Sequence, residues 1–91
     1  MTASRKILSR EALMAARARA RLEGRKVVQC HGCFDIVHPG HIRHLRFARS
    51  QGDLLLVTIT GDAEMRKGEG RPLIPEELRA ENLAELDCVD W

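Results

Sequence analysis

A chain of 91 residues makes one domain at most and buries a modest fraction of its surface, so its core is small. Hydrophobic residues at 44% and charged residues at 31% are ordinary for a soluble protein, whereas aromatic residues at 3% leave few rings for stacking on bases, which disfavours a nucleic-acid partner. The net charge of +2 hides an asymmetry, with Arg5, Lys6, Arg10, Arg17, Arg19, Arg21, Arg25 and Lys26 in front and acids between Glu76 and Asp90; an anionic ligand is welcome near the first half.

No apolar run reaches membrane-spanning length and no signal peptide with an apolar centre is visible, so a cytoplasmic protein without a membrane partner is expected. Residues 1–23 share the Arg, Ala and Ser richness of a transit peptide, but Glu11 and Glu23 interrupt the basic face, which favours a packed or surface helix. Ser9 caps that helix, Leu13, Ala16 and Ala20 line one face, and Gly24 ends it near Leu22. Residues 1–24 are thus an amphipathic helical segment ahead of a unit spanning 25–91. Lys26 to Cys30 form a short β-prone run that stops at Gly32, and Ile42, Leu45 and Ala48 recur at helical spacing up to Gly52.

Asp53 to Thr60, DLLLVTIT, is nearly all apolar through Ile59, as in a parallel strand covered on both faces. Strand, loop, helix and strand make a βαβ unit, hence an α/β, Rossmann-like parallel sheet with flanking helices. Gly61 to Ile74 reads as an exposed loop long enough to reach over a ligand. Pro75 then suits the first position of a helix with Glu76 and Glu77 at its positive end and Leu78, Leu83 and Leu86 as an apolar stripe towards Asp87. Cys88-Val89 opens a third strand, and the chain stops at Trp91, so it is expected to be a fragment, the N-terminal half of a larger domain.

The segment CHGCFDIVHPGH, Cys30 to His41, admits three chemistries. A redox Cys-x-x-Cys needs a helix start beside the first thiol, but Cys30 ends a strand and the apolar helical pattern begins only near Ile42. Three cysteines without a secretion signal also suit free thiols in a reducing compartment. Zinc would take Cys30, Cys33, His38 and His41, although the pairs lie closer than in a zinc finger and such a site has no need of Gly32, Phe34, Asp35 or Gly40. A phosphate cradle uses more of these residues. The loop after a parallel strand sits where α/β sheets bind ligands, helix N-terminal amides attract anions, and Gly32 permits close backbone approach. His38 and His41 project together, with Gly40 leaving room for a phosphate between them. The alternative is that His38 caps the turn and His41 is merely solvated.

Gly32 to His41 resembles the G-x-F-D-x-x-H-x-G-H signature of cytidylyltransferase-like nucleotidyltransferases. The similarity continues through Gly52-Asp53, Thr58-Ile59-Thr60, Asp62, the run from Lys67 to Pro72, Pro75 and Arg79. Residues 25–91 are similar to the adenylyltransferase domain of ADP-heptose synthases and to related domains fused to ribokinase-like sugar kinases. The resemblance implies transfer of a nucleoside monophosphate from ATP or CTP to a sugar or polyol phosphate, with release of pyrophosphate. It gives His38 and His41 the role of stabilising the pentacoordinate phosphorus. Cys33 and Phe34 present backbone to the nucleotide, Asp35 orders the loop, Lys67 contacts the triphosphate or sugar phosphate, and Arg79 binds the acceptor phosphate. Mg²⁺ is expected between phosphate oxygens.

Two departures stand out: His31 replaces the family's Asn, and the later I-S-S-T-x-x-R-like motif is absent. A non-catalytic nucleotide-binding or assembly module is the competing function, with a small zinc-binding domain behind it. A homodimer, or covalent continuation into the rest of the domain or a sugar kinase domain, is the expected partnership.

Overall fold

The computed structural model describes residues 3–65 and 74–91. In chain order these form a 3-10 turn at Ala3–Lys6, α1 (Arg10–Leu22), β1 (Val27–Gly32), α2 (Pro39–Ser50), β2 (Leu54–Ile59), a 3-10 turn at Asp62–Met65, and α3 (Glu76–Ala84). β1 and β2 pair in parallel, with Val27 opposite Leu54 and Gly32 opposite Ile59. The result is a small Rossmann-like α/β unit whose two strands end level with each other.

That register sorts the side chains. Val28 and Cys30 share a face with Leu55, Val57 and Ile59, and on it α2 lays Leu45 and Ala48, joined by Phe34, Leu83 and Val89. Leu45 and Leu55 are fully buried, each contributing about 1.5–3 kcal/mol by area. On the opposite face Leu54 and Leu56 are buried as well, so the first half of β2 is covered on both sides as expected, while Val57 to Ile59 are only half-buried. α1 contributes Ala20 to the buried set and, with Ala16, flanks a cleft beside Leu54 and Trp91. Its Ser9 cap accepts the Ala12 amide at 3.1 Å, as the sequence predicts.

Three boundaries differ from expectation. α2 starts at Pro39, not near Ile42, because Pro39 needs no hydrogen-bond partner at a helix start and His38 serves as the cap. Pro75 is itself the N-cap of α3 rather than its first residue, and the helix stops at Ala84. Leu78 faces solvent, and the inward stripe of α3 is Arg79 with Leu83 one turn on. The third strand expected to open at Cys88-Val89 is not formed among the described residues, where Cys88 lies in a turn and the sheet has two strands; single backbone bonds tie the end of the chain to β2 instead, Trp91 N–H donating to Leu55 O and Val57 N–H to Trp91 O, at 3.2 and 2.9 Å. Asp90 completes this edge, accepting the Leu55 amide at 2.8 Å while Arg49 pairs with the same carboxylate at 3.0 Å. Among the described residues no helix is long and apolar enough to cross a membrane.

Candidate functional site

The loop from Cys33 to His38 lies beyond the carboxyl end of β1 and feeds directly into α2. Its conformation is dictated by close packing. Phe34 is buried at φ +49°, a left-handed backbone that a large side chain adopts only where its surroundings over-determine it. The surroundings include Gly32: a Cβ there would lie 2.8 Å from the Phe34 ring, so glycine is what lets the ring turn inward. Asp35 is buried too and accepts the Ile74 amide on Oδ1 at 2.8 Å, drawing the start of α3 against the loop.

His38 and His41 come together, their ring centroids 3.9 Å apart at a tilt of 41°. Both are bonded to backbone. Gly40 N–H donates to His38 Nδ1 at 3.0 Å, and His38 N–H donates to His41 Nδ1 at 3.2 Å, a reciprocal cap built from two imidazoles. An Nδ1 that accepts a backbone N–H carries no proton in the neutral ring, so these donors assign the Nε2–H tautomer to both rings. The cap and an Nε2–H donor therefore coexist on the same side chain, and the cap leaves that donor unused. His41 is half-buried, and the edge of its ring meets Phe34 with centroids 5.6 Å apart. The space beside Gly40, expected to admit a phosphate, is filled by His38: a Cβ on Gly40 would come within 2.7 Å of the imidazole. No acidic residue occupies the first turn of α2, so the positive end of the helix stays uncompensated.

The remaining sequence-derived residues sort as follows. Cys33 is exposed, with its Sγ 3.6 Å from Thr60 Oγ1, whereas Cys30 packs against the core, where burial pushes its thiol pKa up. The two sulfurs thus serve different surroundings, and His38 and His41 have their Nδ1 atoms committed to the backbone. Among the described residues no group of three or more His, Cys, Asp or Glu side chains is placed to hold a metal ion. Lys67 lies outside the described residues.

Arg79 stands where the sequence does not predict it. An exposed guanidinium reaching an acceptor phosphate is expected; the side chain is instead 0% exposed, donating to the carbonyls of Cys33, Thr60 and Ile74 and to Asp62 Oδ1 at 2.7–2.9 Å. Thr60 and Asp62 received no role from the sequence, yet both hold this region: Thr60 N–H also donates to Gly32 O at 3.0 Å, and Asp62 caps Glu76 at 3.0 Å. The available signal was topological, since a parallel register brings the residues just past β2 beside those just past β1. His31, the departure from the family's Asn, bridges Thr58 Oγ1 at 2.7 Å and Thr60 Oγ1 at 3.4 Å across the strands. An apolar groove of about 360 Å³ beside Leu56, Leu83 and Trp91 lies elsewhere, along the flank of β2.

A parallel βαβ unit, with a helix start free of acidic residues and capped by two imidazoles, defines a small Rossmann-like α/β domain. Residues 29–91 match the family described as Cytidylyltransferase-like, and the chain belongs to that family. It is 49% identical over 88 residues to the "Bifunctional protein HldE" of Citrifermentans bemidjiense, covering 94% of this chain and 18% of that protein. It is 47% identical over 88 residues to HldE of Trichlorobacter lovleyi, again 94% and 18%, and 46% identical over 89 residues to HldE of Alkalilimnicola ehrlichii, 96% and 19%. The chain thus spans less than a fifth of the length of these relatives.

Proposed function

We propose that this chain carries the phosphate-facing half of a nucleotidyltransferase site, at which a sugar or polyol phosphate attacks the α-phosphorus of ATP or CTP and pyrophosphate leaves. The observation that carries the proposal is the imidazole pair with both Nδ1 atoms held by backbone amides. Displacement at phosphorus asks for alignment and charge neutralisation rather than a covalent nucleophile. Two preset Nε2–H donors at an uncompensated helix start supply that where charge builds on the phosphate oxygens. Cys33 and Phe34 offer loop backbone to the nucleotide, Gly32 and Gly40 keep that backbone and the His38 ring in place, Asp35 orders the loop, and Lys67 contacts the triphosphate or sugar phosphate.

Mg²⁺ fits as an ion brought in on the triphosphate. Asp35 is committed to the Ile74 amide and Asp62 to Arg79 and Glu76, which leaves the phosphate oxygens as its main ligands, the usual habit of Mg²⁺. Membership of the Cytidylyltransferase-like family supports nucleotidyl transfer in general. Similarity to adenylyltransferase domains of ADP-heptose synthases favours ATP over CTP and a sugar phosphate as acceptor. The relatives' title of bifunctional protein supports a second activity, such as a sugar kinase, on the same polypeptide.

The test is pyrophosphate release by the full-length protein with ATP or CTP against a panel of sugar phosphates. His41→Ala is expected to lower turnover about 100- to 1,000-fold with an unchanged circular dichroism spectrum. Nucleotide binding without pyrophosphate from any acceptor would leave a binding module in place of an enzyme.

A further inference from the structure

Arg79 is fully buried, and none of the chemistry above uses it. Its Nε donates to Ile74 O at 2.9 Å, Nη1 to Cys33 O at 2.8 Å and Thr60 O at 2.7 Å, and Nη2 to Asp62 Oδ1 at 2.7 Å, which takes four of the five guanidinium N–H groups. The geometry points to Arg79 as the positioning residue of the phosphate loop: it holds the Cys33–Phe34 peptide in front of the imidazole pair and fastens that loop to the end of β2 and the start of α3.

Three features make this more than a structural bond. The Cys33 carbonyl belongs to the peptide that enters Phe34, the residue at φ +49°, and such a backbone persists only when several contacts fix it. Phe34 in turn meets His41 edge-on, so a turn of that peptide moves the ring on which His41 rests. Ile74 is gripped from both sides, its carbonyl by Arg79 and its amide by Asp35, which belongs to the same loop. One guanidinium thus joins both strand ends, the loop and α3. Its planar fork suits carbonyls arriving from several directions, whereas an ammonium is a point donor on a shorter reach. The consequence for turnover rests on the nucleotidyl-transfer proposal; the consequence for loop geometry does not.

Arg79→Lys in the full-length protein separates the two. The charge is kept and the fork is lost. In the ligand-free amide NMR spectrum, shifts are expected to concentrate at Cys33, Phe34, Thr60, Asp62 and Ile74, with secondary structure retained. In the pyrophosphate assay kcat is expected to fall about 100-fold while KM for the acceptor changes by less than about threefold. An unaltered ligand-free spectrum with a raised acceptor KM alone would overturn the proposal, because it would make Arg79 a substrate-phosphate contact. If the lysine variant does not fold, Asp62→Ala removes a single partner, and smaller shifts at the same amides are expected; none at Cys33 and Phe34 would overturn the proposal equally. A parent protein that releases no pyrophosphate would defeat the nucleotidyl-transfer proposal while the ligand-free spectra still decide the clamp.

Discussion

α2 and α3 both begin near the carboxyl ends of the strands, yet their first turns are built in opposite ways. α2 has no acid there and is capped by imidazoles through Nδ1, so its partial positive charge is uncompensated and the caps leave both Nε2–H groups unused. α3 starts at Pro75 with no cap from that side chain; Glu76 and Glu77 sit in its first turn, and Asp62 reaches across to accept the Glu76 amide while Glu76 accepts the Asp62 amide at 3.3 Å. One helix start is left open to an anion and the other is closed by carboxylates. The difference teaches that a basic residue beside such an end is not thereby a ligand: His38 keeps a donor free because its cap uses one nitrogen, whereas Arg79 spends its fork on carbonyls and Asp62.

The α3 side breaks most severely with Arg79→Met. It removes the donors to three backbone carbonyls at once and the charge partner of Asp62, which keeps the Glu76 amide, and a loss of about 3–5 kcal/mol in urea-denaturation stability is expected. On the α2 side His38→Asn separates fold from chemistry: the Asn oxygen preserves the cap, so stability is expected to stay within about 0.5 kcal/mol of the parent while pyrophosphate release falls about 100-fold. His38→Ala loses the cap too, at about 1 kcal/mol more; equal stabilities of the two variants would show that the cap contributes nothing. Gly32→Ala drives a methyl into the Phe34 ring, and a loss of about 1–3 kcal/mol in a thermal melt is expected. The smallest effect is that of Glu77→Gln in the first turn of α3, about 0.3 kcal/mol at low salt and vanishing at high salt, since an exposed charge near a helix end is screened.

Local pattern carried much of this architecture. Ser9 before an Ala-rich run, the β-prone run from Lys26 to Cys30 and the apolar block from Leu54 to Ile59 each state their element within a few residues, and the observed α1, β1 and β2 agree. The pairing of His38 with His41 was also legible, because residues three apart at a helix start are neighbours whatever else the fold does. Leu78 and Arg79 were not. Polarity places Leu inside and Arg outside, but the loop after β1 needed a donor for the Cys33 carbonyl more than the core needed another leucine.

Sequence alone settled the βαβ order, the Ser9 cap of α1 and the identity of the paired imidazoles, since each depends on contacts within about one turn or one strand. Tertiary structure alone decided which nitrogen each imidazole keeps free, that a side chain at Gly32 or Gly40 would crowd the Phe34 or His38 ring, and that Arg79 is buried. Those outcomes turn on groups brought together from distant parts of the chain, Cys33 with Arg79 and Asp35 with Ile74, or on ring placement that packing fixes, and residue type by itself does not encode either.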